Sequence, residues 1–429
     1  MAGRLYCPAM IAFLLVAAAA TQGAASGKAT YERVKTSVFT IEVHSGNAGA
    51  KSALGSGYLV SERGHVVTNY HVIGSYVEEP ALNRIRVRNE IGTHEARLVR
   101  FDLINDLALL RVDELPSLRP LPLADHDPSS GERIVALGNP EGLGMSLIEG
   151  VFNGRAAKGV VDRLLLSMPL NSGMSGGPIL DEGGAVVGTN VAVIWLANSL
   201  SFGVPTASLR PLLDGPDLAL DPGALRAEVN RQLEVLEKRT GERAVAPFAD
   251  KVTRTYVKVG GAEIPRPPEL YDCWDQETER RDKGYRESVF QCNLQFTPSV
   301  DGPGEVGCVQ IKVEYEESDH QPFGFYSLVQ HQAEQDHEPR TAPPDNGVFS
   351  PPQCETDRVA AGAFTWHVNT CLNAHVRHPG FLSFDASAFT VSRPRRSILV
   401  TLHLRGFRLE AGLSLLRSLL EGIREAKAS

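Results

Sequence analysis

The chain has 429 residues, a formal net charge of −8, 42% hydrophobic and 22% charged residues. That length is more than one hydrophobic core organises and implies two folded units with tails, in a composition that excludes a disordered or collagen-like chain. The negative balance argues against a general nucleic-acid binder and leaves only a local basic patch as a route to that partner.

The first element is apolar. Arg4 precedes a run from Met10 to Ala20, and small residues continue through Ser26. The run is short for a membrane span and reads as a secretory signal over residues 1–26, with cleavage expected within Ala20 to Gly27. The chain is then exported, periplasmic or secreted, without stable membrane insertion after cleavage; the alternative reading of the run is a retained hydrophobic anchor. Cys7 falls in the signal, and Cys273, Cys292, Cys308, Cys354 and Cys371 all fall in the second half. In an exported protein these five imply two bridges and a leftover thiol, with the pairing open. Their spacings match no zinc pattern, and no metal or organic cofactor is implied.

From Lys35 the chain reads as short strands split by turns. Ser37–Val43 alternates, and a small-residue loop leads into Gly55-Ser56-Gly57-Tyr58-Leu59-Val60. The turn Ser61–Gly64 returns the chain into His65–Ile73, read as a strand that carries His71 at its end. Arg97–Arg100 runs through Asn105-Asp106 into the apolar strand Leu107–Val112. An acid in that position is partly buried and needs a donor partner. Further strands are Arg133–Gly138, Gly150–Gly154, Ala185–Asn190 and Ser201–Pro205, a pattern of sandwich or barrel.

Between them lies Asn171-Ser172-Gly173-Met174-Ser175-Gly176-Gly177-Pro178. Gly173 lets the backbone turn so that its own N–H and that of Ser175 aim at one spot, where a substrate carbonyl becomes an oxyanion. Gly176 and Gly177 are read as clearing the approach to the Ser175 hydroxyl. A hydroxyl needs a base, and the base an orienting acid. The motif also satisfies G-x-S-x-G, but Gly-Gly-Pro and a Gly-Gly turn follow it, which is hostile to the helix an α/β-hydrolase requires there.

The blocks Gly55-Ser56-Gly57-Tyr58, Thr68-Asn69-Tyr70-His71-Val72, Asn105-Asp106-Leu107-Ala108-Leu109, Ala136-Leu137-Gly138-Asn139-Pro140, Gly173–Pro178 and Ser201-Phe202-Gly203-Val204-Pro205 occur in this order. Over residues 30–212 the chain resembles the trypsin-like serine peptidases of the HtrA/Deg type. The resemblance implies a mainly β, chymotrypsin-like double β-barrel with the site in the cleft between barrels. It also implies roles. Ser175 attacks the scissile carbonyl, His71 takes and returns the proton, and Asp106 holds the imidazole ring. The N–H groups of Gly173 and Ser175, with that of Met174 as a third candidate, bind the oxyanion. Asp102 is a rival acid without the Asp-Leu-Ala-Leu context.

Met174 stands where HtrA-type relatives commonly have Asn. It offers no charge to anchor a freed N-terminus, so activity is expected to depend on how the loops around 139–146 and 166–174 settle. The loop before the serine, Leu164–Met174, contains no acid, which disfavours a pocket for Arg or Lys. Leu170 is expected near the pocket floor, and Ser201, Phe202, Gly203 and Val204 are expected to pair with substrate backbone as an added strand. Small or medium aliphatic P1 residues follow.

Residues 213–244 read as a linker with an amphipathic helix: Asp221-Pro222 starts it, Leu225, Val229, Leu233 and Leu236 recur at helical spacing, and Gly241 ends it. It is expected to act as a spacer. Residues 245–429 read as a separate α+β unit. Its strands are Ser288–Phe296, Val306–Tyr315, Ala363–Cys371, Phe384–Val391 and Ser397–Leu404, with a proline-rich loop from Ala342 to Gln353. A final helix is expected to present Leu409, Leu413, Leu416, Leu420 and Ile423 on one face. No convincing carboxylate-binding loop of a PDZ domain is present; Phe323-Gly324-Phe325-Tyr326 is a weak echo. His331, His337, His367, His375 and His378 lack ligand spacing and are read as scattered surface histidines. Arg393–Arg396 is read as a solvated turn. The expectation is a serine endopeptidase acting on polypeptides; the alternative is a silent binding or scaffold protein on a protease fold.

Overall fold

The computed structural model describes residues 27–46, 50–156, 158–191, 200–218, 221–252, 254–280, 285–294, 307–318, 349–393 and 395–426. The signal segment, Cys7, Phe323–Tyr326, His331, His337 and most of the loop read over Ala342–Gln353 lie outside these residues.

Helix α1 (Gly27–Val34) leads into β1 (Val38–Ser45), β2 (Ala50–Leu59) and β3 (His65–Thr68), then α2 (Tyr70–Glu78), β4 (Asn83–Arg88), β5 (Thr93–Asp102) and β6 (Leu107–Arg111). The six strands close as β1-β2-β3-β6-β5-β4. β4 shows why. Ile85 and Val87 face inward while Arg84, Arg86 and Arg88 face out, and closure leaves no edge to protect. A second barrel follows from β7 (Arg133–Gly138), β8 (Ser146–Arg155), β9 (Leu164–Ser167), β10 (Pro178–Leu180), β11 (Val186–Val191) and β12 (Leu200–Pro205), in the order β10-β11-β12-β9-β8-β7. The expected double barrel is thus present. Tyr58, Val67, Leu107 and Leu109 of the first barrel pack on Leu137, Leu180, Val186 and Val204 of the second. The Tyr58 hydroxyl lies 2.9 Å from Thr189 Oγ1 across that seam.

Two readings need correction here. The chain from Tyr70 is helical, so His71 sits in the first turn of α2 and not at a strand end. The β-branched pair Val72-Ile73 favours a strand locally, but both side chains are buried against the first barrel, and packing overrides propensity. Leu164–Ser167, read as part of a loop, is β9, a strand of the second barrel.

After α3 (Thr206–Asp214) the chain straps back over the first barrel. The buried Arg100 guanidinium donates to the carbonyls of Leu212, Leu213 and Gly215, and Leu218 N donates to Val99 O at 3.0 Å. Helix α4 (Pro222–Thr240) begins with the Asp221 carboxylate accepting from Ala224 N at 3.0 Å, an N-cap followed by proline. It is no free spacer. Leu225, Val229, Leu233 and Leu236 belong to one apolar core that runs from Ile73, Val77, Phe101 and Leu103 of the first barrel to Val309, Ile311, Leu402 and Leu404 beyond it.

Helix α5 (Ala246–Ala249) leads to β13 (Tyr256–Val259) and β14 (Ala262–Pro265), then to β15 (Tyr271–Arg280), β16 (Tyr285–Leu294), β17 (Cys308–Ser318), β18 (Gln353–Ala361), β19 (Phe364–Ala374), β20 (Leu382–Arg393) and β21 (Arg396–Phe407). The described chain closes with α6 (Leu409–Gly422) and β22 (Arg424–Glu425). The antiparallel sheet β15-β16-β17-β21-β20-β19-β18 is seven-stranded, and β13-β14-β22 is a small second sheet. This is the expected α+β unit. Cys273–Cys292 ties edge strand β15 to β16, and Cys354–Cys371 ties edge strand β18 to β19, each joining residues directly opposite in register. Cys308 is a buried thiol outside both bridges. Arg395, with φ 75°, makes the tight turn between β20 and β21. On α6 the buried residues are Gly412, Leu415, Leu416, Leu419, Leu420 and Gly422; of the expected face Leu416, Leu420 and Ile423 are buried, while Leu413 is 45% exposed and Leu415 and Leu419 take its place. Among the described residues, no helix is long and apolar enough to cross a membrane.

Candidate active site

The Asp106 carboxylate holds His71 twice: Oδ1 accepts from the His71 backbone N–H at 2.9 Å, and Oδ2 lies 2.8 Å from the ring Nδ1. A carboxylate at the first turn of α2 also meets the helix's unpaired N–H groups, where negative charge is favoured. Asp106 reaches this position by bending. Its φ is 63°, in the left-handed region, and its carbonyl accepts from Asn69 Nδ2 at 2.7 Å. Asp102 serves another purpose. Both its oxygens accept from Asn105, at 2.9 and 2.6 Å, and it caps the turn that leads to Asp106.

About a third of the His71 side chain is exposed, against a tenth for Asp106. Burial pushes the His71 pKa down, but the Asp106 charge and hydrogen bond together outweigh it, and the net direction is upward from the ordinary 6.5. Arg163, nearly fully buried, opposes that rise through its charge. Its own pKa is lowered by burial, against the pull of Asp106, Asp102 and Asp162.

Ser175 is buried, on a loop strapped to both barrels. Its carbonyl accepts from Ser56 N at 2.7 Å. The Ser56 hydroxyl donates to Gly173 O at 2.7 Å and accepts from Asn139 N at 2.9 Å. Ser172 O accepts from Glu141 N at 2.9 Å, and in a trans peptide that turns the Gly173 N–H the opposite way. Gly173 holds φ 87°, as its expected turn requires. Gly176 and Gly177 have a different reason than substrate access. A Cβ on Gly176 meets Ser56 O at 2.2 Å and Asn69 N at 2.9 Å; one on Gly177 meets Leu137 O at 2.0 Å. The missing side chain at Gly176 lets the Ser175 loop lie against Ser56 and the strand end that leads to His71, and that at Gly177 lets it lie against Leu137 of β7. Met174 is fully buried in the second barrel with Ile134, Met168 and Ile179.

The expected substrate-binding residues are only partly in keeping with that role. Leu170 packs at the rim of the Met168–Met174 cluster, and its N–H donates to Ser201 Oγ at 3.3 Å. Ser201 in turn donates to Met168 O at 2.5 Å. Phe202 and Gly203 pair with β9 on one side and β11 on the other. A central strand has no free edge, so the expected pairing of substrate with Phe202 and Gly203 is corrected. Val204 pairs with Thr189 and is buried in the seam between barrels.

Residues 55–188 match the family described as the trypsin-like peptidase domain. Protease Do-like 1 of the Arabidopsis thaliana chloroplast is 32% identical over 194 residues, 42% of each chain. A probable periplasmic serine endoprotease, DegP-like, of Rickettsia conorii is 29% identical over 177 residues, 38% of this chain and 33% of that one. The two barrels are a trypsin-like peptidase domain of the HtrA/Deg type. Serine protease HTRA2 of Bos taurus mitochondria is 32% identical over 169 residues, 37% of this chain and 35% of its own. The chain therefore spans less than half the length of these curated relatives.

Within the peptidase domain, sequence reasoning missed the work of Ser56, although the Gly55-Ser56-Gly57 block was in view. It missed Arg163 as well, which carries no local signal. The histidines beyond the domain also need correction. His375 and His378 are 3% and 0% exposed, with ring centroids 4.7 Å apart, while His367 is exposed and stacks on Phe389. Burial lowers the His375 pKa to about 4, and His378 adds to that. Among the described residues, no group of three or more His, Cys, Asp or Glu is arranged to hold a metal ion.

Proposed function

We propose that the chain is a serine endopeptidase that hydrolyses polypeptides through an acyl-enzyme. The carrying observation is the 2.8 Å contact between His71 Nδ1 and Asp106 Oδ2, next to a glycine-framed serine loop. Ser175 Oγ attacks the scissile carbonyl, and His71 Nε2 takes its proton and delivers it to the leaving amine. Asp106 keeps the proton on Nδ1 and stabilises the imidazolium. The Gly173 and Ser175 N–H groups bind the oxyanion, and the hydrogen bonds from Ser56 and Glu141 hold that loop in its open-handed form. The loops around 139–146 and 166–174 thereby control activity. Residues 27–212 act as the peptidase unit, 213–244 connect it, and 245–429 act as its accessory. The apolar run Met10–Ala20, the two disulfides and the periplasmic relatives support export, for which a mature N-terminus between Ala20 and Gly27 is the check.

The P1 preference is small or medium aliphatic, because Leu164–Met174 brings no carboxylate and Leu170 borders an apolar cluster. Digestion of a randomised peptide library tests both activity and preference. Cleavage after Ala, Val, Leu or Ile is expected; cleavage mainly after Arg or Lys contradicts the pocket assignment.

The pH profile follows from the raised His71 pKa. The base must be neutral to work, so kcat/KM falls as pH drops through that pKa. The acid limb is expected above 6.5. In Asp106→Asn the raising influences vanish while burial and Arg163 remain. The limb then moves below 6.5, and kcat drops about 10⁴-fold. A limb that stays put in Asp106→Asn contradicts the pairing.

A further inference from the structure

We propose that Gln232, far outside the peptidase domain on α4, is a positioning residue for Asp106, so that the second half of the chain completes the catalytic centre. The inference rests on the reading of Asp106 and His71 as acid and base.

Gln232 is 5% exposed, and both ends of its amide bond one strand end. Its Nε2 donates to Phe101 O at 3.0 Å, and its Oε1 accepts from Leu103 N at 2.6 Å. A side-chain amide that binds the carbonyl and N–H either side of Asp102 acts like one more rung of the β5 ladder. From there the path to the acid is short. Leu103 O accepts from Asp106 N at 3.3 Å, and Asp106 sits at φ 63°. A left-handed aspartate persists only where its surroundings over-determine it. Asn69 and Asp102 hold the turn directly, and Gln232 adds to that by fixing the strand end from which the turn springs, with Glu228 Oε1 accepting from the same Nε2 at 2.7 Å.

The other arm of the pair is held from the same helix. Glu78, the last residue of α2, has a side chain 3% exposed and lies 3.0 Å from His378 Nε2. His378 Nδ1 lies 2.7 Å from Asn230 Oδ1, two residues before Gln232. Arg377 Nη2 donates to Glu79 Oε1 at 2.8 Å. His71 and Glu78 are seven residues apart on one short helix, about 10 Å, so fixing one end aims the other. Asn230 and Gln232 thus fix, from one turn of α4, the turn that carries the acid and the helix that carries the base.

The test is made in the full chain with Gln232→Met, which keeps the volume and removes its hydrogen bonds to Phe101, Leu103 and Glu228. A misplacement of about 1 Å costs about 10²-fold, so kcat is expected to fall by about that factor with KM unchanged. The acid limb moves down toward the ordinary histidine value, and the downfield proton resonance of His71 Nδ1–H broadens. Arg226→Gln, on the exposed face of the same helix, changes none of these. A folded Gln232→Met with wild-type kcat, acid limb and proton resonance overturns the inference. If that variant does not fold, Gln232→Glu, which retains the acceptor for Leu103 N–H, is judged by the same three readouts. The unaltered chain is treated in parallel with a fluorophosphonate. Failure to label Ser175 there sinks the catalytic reading itself, whereas labelling beside a normal Gln232→Met sinks only the positioning role.

Discussion

Ser175→Ala is expected to lower peptide hydrolysis by about 10⁴-fold or more, and His71→Ala by a similar factor, with the fold intact in both. Removing either member leaves a hydroxyl without a base or a base without a nucleophile, so the double variant is expected to lose little beyond the single ones. Ser175 is buried, and replacing its hydroxyl by hydrogen opens almost no cavity. Thermal unfolding measured beside the initial rate therefore separates lost chemistry from lost structure. A Ser175→Ala protein that keeps a substantial fraction of the wild-type rate, free of contaminating peptidase, contradicts the assignment of the nucleophile.

A chain ending at Leu212 is expected to be inactive and largely unfolded or aggregated. In the intact protein, Leu225, Val229, Leu233 and Leu236 of α4 are each 0–1% exposed against the first barrel and the large sheet. Fully burying one such side chain contributes roughly 1.5–3 kcal/mol. Four of them approach the roughly 5–15 kcal/mol that holds a typical domain together. Truncation also takes Leu213 O and Gly215 O from the buried Arg100 guanidinium and leaves its charge short of acceptors. Circular dichroism and a peptide assay on the truncated and full chains decide it. A truncated protein that unfolds cooperatively near the full-length temperature and still hydrolyses peptide would show that the barrels stand alone.

The parts legible in the sequence are those in which local chemistry and final position coincide. Gly173 is a glycine because its φ is 87°, and a reading of the motif finds that turn without coordinates. Most strands of the first barrel and the inner strands of the large sheet show in the sequence as short apolar or alternating runs, whereas β4 and β9 go unread, and the N-cap of α4 shows in Asp221-Pro222. The His71 helix was illegible because Val72 and Ile73 favour a strand, and only their burial against the barrel decides the matter. Gln232 lies 129 residues along the chain from Leu103, and nothing in its own neighbourhood separates it from an ordinary helix-surface glutamine. The edges of the large sheet escaped for a related reason. β18 is exposed along nearly its whole length, so it has no apolar face to show, and a disulfide ties it to its neighbour. Periodicity reads burial: Gln232 is held by a partner distant in sequence, and the edge strands by hairpin neighbours and disulfides rather than by an apolar face.

The most direct measurement of the central claim is covalent labelling of the full-length protein with a fluorophosphonate, followed by peptide mapping. One adduct on Ser175 is predicted, with a rate that rises with pH through the His71 limb and is lost in His71→Ala. A folded protein that takes up no label at Ser175, or that labels equally well without His71, contradicts the account.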